Sequence, residues 1–217
     1  MVDLSLLLFI CLVLPMLMML AVFKDESRTL MLYMVLGIFA CLVAGSVNGL
    51  ILSESNFDYY YMTINITPIV EEILKALPIL YLAFVFKPKR QHLLECAIAV
   101  GIGFAMLENA YIFAENSSSI TLIWAIIRGL GAGMMHSICT LAVGYGISLF
   151  GIRKKWFASG TVALLATAMI YHAFYNLLIQ SQNMYLGLLW TVITFILIVV
   201  VGGKERDKLE KKENKKA

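Results

Sequence analysis

The chain is expected to be an all-α membrane protein, a polytopic helix bundle of about seven transmembrane helices, and three observations lead there. Of its 217 residues, 61% are hydrophobic and 14% charged, with a mean hydropathy of +0.86, well outside the range of soluble domains. Apolar stretches long enough to cross about 30 Å of hydrocarbon, at about 1.5 Å per residue, recur along its whole length. Basic residues fall in every second connection and are missing from the others.

The first stretch, residues 4–22, starts behind Asp3 rather than a basic segment and shows no small-residue cleavage site before Lys24. It is therefore read as a retained helix and not as a secretory signal. The second, 30–52, carries Gly45 and Gly49, and the third, 66–86, contains PIVEEILKALPILYLAFVF from Pro68 to Phe86. The fourth, 93–114, holds the row Ala97, Gly101 and Ala105; the fifth, 121–149, holds Gly129 and Gly133; the sixth and seventh cover 157–179 and 184–202. Small residues at four-residue spacing read as faces where helices pack closely. Cys11, Cys41, Cys96 and Cys139 all fall within spans, as small apolar residues rather than a disulfide framework. The two halves show no inverted repeat, which gives no support to a duplicated transporter.

Cytoplasmic connections retain Lys and Arg, and that sets the orientation. Lys24 and Arg28 follow the first span, Lys87, Lys89 and Arg90 the third, and Arg153, Lys154 and Lys155 the fifth; with the tail from Lys204 they make 15 of the 17 basic residues. The opposite loops, SESNFDYYY, ENSSS and QSQN, contain none. The N-terminus is expected outside and the C-terminus in the cytoplasm. Residues 1–203 form one transmembrane domain and 204–217 a basic cytoplasmic tail facing lipid headgroups. The bilayer is the partner this composition implies, and no nucleic-acid partner is expected.

Ionisable groups within spans are costly, about 2.5–3.5 kcal/mol each on insertion scales, so each needs a partner or a task. They are Glu71, Glu72, Lys75, Glu108, Arg128, His136 and His172, with neutral Asn109 and Asn176 beside them. Counting inward from the outer ends of the spans puts Glu71, Glu72, Glu108 and His172 at one level, roughly 8–11 Å deep. His136 counts as deeper, in a span long enough to tilt. Glu71 with Lys75 alone would be a neutralised pair, but such a pair leaves Glu72, Glu108 and the histidines unexplained.

Two histidines and a carboxylate form a donor set for a divalent metal, zinc above all, with an open fourth position for water. Glu108, His136 and His172 are the candidate ligands, Glu71 and Glu72 the candidate general base, and Lys75 or Arg128 can hold a carboxylate ionised. Other hydrolytic chemistries lack their parts. No aspartate lies within a span, no HExxH occurs, and Ser137 points about 100° away from its neighbour His136 on a helix.

The ordered segments EEILK, FAMLE, GMMH and HAFYN, each on its own span within residues 68–180, resemble the PrsW-type intramembrane metalloproteases. These belong with the CAAX-processing and bacteriocin-processing membrane proteases. The resemblance implies that Glu71 or Glu72 activates the hydrolytic water, that Glu108 takes the place of a histidine of CAAX-type members, and that His172 is the histidine of the last motif. It also implies a catalytic place for Asn176, as support for an oxyanion. Lys75 stands one residue earlier than the arginine of CAAX-type members.

The implied activity is a first cut, on the extracytoplasmic side, in a single-pass membrane protein such as an anti-sigma factor, at the start of a stress response in the bacterial cell membrane. A level of polar groups near the outer face agrees with that side. The competing expectation is a non-enzymatic immunity protein, or a proton-coupled carrier using the same carboxylates as a relay.

Overall fold

The computed structural model describes residues 4–116, 121–151, 154–181 and 184–213, with the side chains of residues 21, 151–156 and 202–213 outside the description. Arg153 and the basic side chains of 154–155 and of the tail, which carry part of the orientation argument, lie outside the described residues. The elements in order are α1 (Leu4–Val22), α2 (Asp25–Glu54), the single turn α3 (Tyr59–Tyr61), α4 (Thr67–Tyr81), α5 (Arg90–Glu115), α6 (Leu122–Ser148), α7 (Lys154–Gln180) and α8 (Tyr185–Glu213). Among the described residues there is no strand.

Local chemistry sets the helix ends. Asp25 and Glu26 occupy the first turn of α2, where the helix dipole favours anions. The Asp58 carboxylate accepts a hydrogen bond from the Tyr61 N–H at 2.7 Å and starts α3. Thr121 does the same for α6 through Trp124 N–H.

The expected third span departs from a plain helix. A continuous right-handed path runs from Tyr59 to Phe86, but α4 is flanked by π-helical turns at Met62–Ile66 and Leu82–Phe86. Proline explains the first. The Thr67 N–H reaches back to Met62 O, and Pro68 has no N–H to offer, so the Thr63 carbonyl has no backbone donor in either an α or a π pattern. Asn176 Nδ2 on α7 supplies it, at 2.8 Å. Pro78 likewise interrupts α4 from within, one turn before the second π turn.

Among the described residues, four helices are long and apolar enough to cross a membrane, Asp25–Glu54, Arg90–Glu115, Leu122–Ser148 and Phe157–Gln180, and shorter apolar helices cover Leu4–Leu20 and Tyr185–Val201. Large apolar side chains such as Leu14, Leu77, Leu122 and Ile170 face outward, as a protein solvated by lipid requires.

α5 is the centre of the bundle, packed against α2 on one side and α6 on the other, with α7 against α6. Close approach there depends on glycine. A Cβ on Gly37 would overlap the Val100 carbonyl and one on Gly103 the Met34 carbonyl, so α2 and α5 meet backbone to backbone. A Cβ on Gly101 would stand 2.6 Å from His136 O, which brings α5 equally close to α6. The expected packing rows hold for Gly101 and fail for Gly45, Gly49, Gly129 and Gly133. A Cβ at any of those four would meet nothing within 4 Å, so no neighbouring backbone presses on them. All four cysteines are free thiols, and Cys96 and Cys139 are buried in the core with Tyr33, Ile79 and Val100.

Candidate active site

Helix α4 carries Glu71, Glu72 and Lys75 into the bundle, all buried, with Lys75 and Glu72 wholly so. Spacing of three places Glu72 and Lys75 on one face. Lys75 Nζ donates to Glu72 Oε1 at 2.6 Å and lies 2.8 Å from His136 Nδ1. An ammonium can only donate, so Nδ1 accepts and the ring proton of His136 sits on Nε2. That nitrogen points at Glu108 Oε2, 2.8 Å away. The Lys75 ammonium also stands 4.6 Å from the centroid of Phe104, whose ring packs against His136.

His172 on α7 enters from the other side. Its Nδ1 donates to Glu72 Oε1 at 2.8 Å, which leaves Nε2 with its lone pair exposed toward Glu71 Oε2, 3.7 Å away. The two imidazoles meet edge to face with centroids 5.0 Å apart. Arg128 completes the cluster from α6: Nη2 donates to Glu108 Oε1 at 2.8 Å and Nε to Asn109 Oδ1 at 3.1 Å.

Charge pairing in this cluster is uneven. Lys75 serves Glu72 and Arg128 serves Glu108, so of these three carboxylates Glu71 has no lysine or arginine of its own among the described residues. Its Oε2 is buried without a hydrogen-bond partner, as is Glu72 Oε2. A buried carboxylate oxygen without a partner is expensive. A cation is what such an oxygen accepts.

The residues fit a divalent metal on those grounds. Ligand atoms of Glu71, His136 and His172 lie within 4.8 Å of one another, all three residues buried. Each histidine is held by a carboxylate, Glu72 on Nδ1 of His172 and Glu108 on Nε2 of His136, the arrangement that fixes ring orientation in metal sites; His172 keeps Nε2 free, whereas Nδ1 of His136 takes a metal only in exchange for the Lys75 ammonium, 2.8 Å away. The donor set is two imidazoles and a carboxylate, as expected, but the carboxylate in the group is Glu71 rather than Glu108. Both oxygens of Glu108 are engaged, one by Arg128 and one by His136.

Of the nine residues singled out in the sequence, eight converge, with Asn109 joined through Arg128. His136, which counted as deeper, lies against His172, their ring centroids 5.0 Å apart. Asn176 is apart from them: its amide holds Thr63 O, and among the described residues no hydrogen bond ties it to the glutamates or histidines. Thr63, Thr140 and Tyr175 were not anticipated. Pro68, five residues after Thr63, was the available signal for that carbonyl. Thr140 Oγ1 donates to the backbone O of His136, and Tyr175 is fully buried on the face of α7 that meets Gly131.

With this geometry in place, comparison with known proteins is specific. The family described as PrsW family intramembrane metalloprotease matches residues 26–202, from the start of α2 into α8. The chain is 26% identical over 206 residues to a protein named Protease PrsW from Clostridioides difficile (strain 630), covering 88% of this chain and 82% of that one. No solved structure matches it. Converging glutamates and histidines on four helices, with a donor set for a metal among them, therefore have a known setting: the chain belongs to the PrsW family of intramembrane metalloproteases, multi-pass enzymes of the membrane.

Proposed function

We propose that this metalloprotease makes the first, extracytoplasmic-side cut in a single-pass membrane protein, with an anti-sigma factor as the substrate class, and that Glu71, His136 and His172 hold zinc. The observation that carries the reading is Glu71: a buried carboxylate oxygen without a partner, facing the free lone pair of a histidine. Zinc supplies Lewis-acid polarisation of a carbonyl oxygen and makes bound water acidic.

The protein's own groups do the rest. Glu72 Oε1 holds His172 and receives Lys75, while Oε2 is left to accept a proton from water as general base. Lys75 keeps Glu72 ionised by direct donation. Arg128 fixes Glu108, which in turn orients His136. Asn176 positions α7 through Thr63 O, so its part is support. The outer side is favoured because the cluster lies near the ends of α5 and α7 that lead to loops free of Lys and Arg, with the C-terminus and its basic tail, 204–217, in the cytoplasm. Family membership sets aside the immunity and carrier alternatives.

The test is co-expression of the chain with a membrane-anchored anti-sigma factor from the same genome, for wild type, Glu72→Ala and His172→Ala, with elemental analysis of the purified proteins. Cleavage by wild type alone, with about one zinc per chain, is expected. Undiminished cleavage by both variants would overturn the assignment.

A further inference from the structure

Between α1, α2, α4 and α5 lies a cavity of about 410 Å³ that the reading above leaves unused. Its wall includes Gly45, Ser46 and Gly49 on α2, Glu71 on α4, and Leu107 and Glu108 on α5. A volume of this size is within the range of small-ligand sites, about 300–1,000 Å³.

The glycines here differ from those that pack the bundle. Gly37, Gly101 and Gly103 are needed because another helix backbone lies where a side chain would be, whereas a Cβ at Gly45 or Gly49 meets nothing within 4 Å. Glycine weakens a helix interior, and at these two positions no neighbour gains from it. What the missing side chains leave is room, and the room adjoins the catalytic cluster. Glu71 is only 6% exposed, lines this cavity, and has an Oε2 with no hydrogen-bond partner.

We propose that this cavity is the substrate groove: it takes an extended peptide segment across the Gly45–Gly49 face of α2, and the two glycines keep space for a bulky side chain beside the scissile bond. This rests on the endopeptidase reading and adds its specificity. An extended segment is required because a helical peptide bond is shielded by its own turns. Gly45 and Gly49 are specificity-determining positions and take no part in the chemistry.

The experiment uses the full chain in membranes with the same co-expressed anti-sigma factor, carrying Gly, Ala, Leu or Phe in turn at each residue flanking the cut. Gly45→Leu and Gly49→Leu are compared with wild type and with Gly129→Leu, an exposed α6 glycine that does not line the cavity. The expected result is loss of the Leu and Phe substrates, on the order of a hundredfold, with the Gly and Ala substrates cut nearly as by wild type and Gly129→Leu unaffected. Gly45→Ala and Gly49→Ala should show the same trend weakly, with a thermal midpoint no lower than wild type. Equal cleavage of the whole series by all variants overturns the proposal, and so does a uniform loss on every substrate.

A second arm is independent of cleavage: Gly49→Cys, with Cys11 and Cys41 replaced by alanine, is treated with a charged maleimide in opened membranes. Labelling is expected. Absence of labelling overturns the groove even where cleavage persists. Labelling in a chain that cuts no membrane protein overturns the endopeptidase reading and the groove's role with it.

Discussion

Replacement of Lys75 by methionine tests whether the buried charges are held by pairing. The substitution keeps an unbranched apolar stem of similar length against Phe104 and removes the ammonium, which is wholly buried, 2.6 Å from Glu72 Oε1 and 2.8 Å from His136 Nδ1. At that separation the Coulomb attraction is about 6 kcal/mol for an effective dielectric of about 20, and desolvation of both ions offsets much of it. Removing one partner leaves the other charge buried, so the cost of Lys75→Met is expected at about 3–5 kcal/mol. Replacing both partners, as Lys75→Met with Glu72→Gln, should cost far less. The glutamine Oε1 still accepts from His172 Nδ1–H and no ion is stranded. The assay is reversible unfolding in mixed detergent for wild type, both single variants and the double, closed as a thermodynamic cycle. A single variant costing under about 1 kcal/mol, or a double no better than the worse single, would refute the pairing argument.

Three further outcomes are expected. Glu71→Gln should lose bound zinc by elemental analysis, whereas Glu108→Gln should weaken binding by about 10–100-fold; the reverse pattern would restore Glu108 to the ligand set. Asn176→Ala strands the Thr63 carbonyl and should lower stability by about 1–3 kcal/mol, with activity following the folded fraction. A hundredfold fall in kcat at unchanged stability would instead assign Asn176 an oxyanion role. Gly103→Ala should destabilise the bundle by about 1–3 kcal/mol in the same unfolding assay, since the added methyl meets the Met34 backbone, and Gly129→Ala should not.

Much of this architecture was legible in the chain. Hydropathy marks the long helices, and charges too costly to place in lipid without purpose mark the site, because both are properties of single residues or of one helix. What could not be read are relations between helices. Depth counted from span ends assumes flush, parallel helices, and His136 breaks that assumption by lying against His172. The choice between Glu71 and Glu108 depends on which carboxylate Arg128 reaches from α6, a matter of helix rotation. Four-residue spacing of small residues cannot distinguish Gly101, pressed on a neighbouring backbone, from Gly45 and Gly49, which face open space. The break at Thr63 was half within reach: a proline five residues on removes its π-pattern donor, but its α-pattern donor, Thr67 N–H, is lost only because that group turns to Met62 O.

His172 and Asn176 sit one helical turn apart on α7, and each is fastened to the helical path that carries the paired glutamates, one to Glu72 and the other to Thr63 O. The two attachments act like pegs at a fixed pitch: a slide of α7 by one turn, about 5.4 Å, or a rotation about its axis, undoes both together. Alignment of the histidine with the glutamates is thus a property of how two rods are indexed, and it does not wait on a metal to draw them into place. Chelation should therefore silence the enzyme without melting it, and added zinc should restore cleavage with no refolding step.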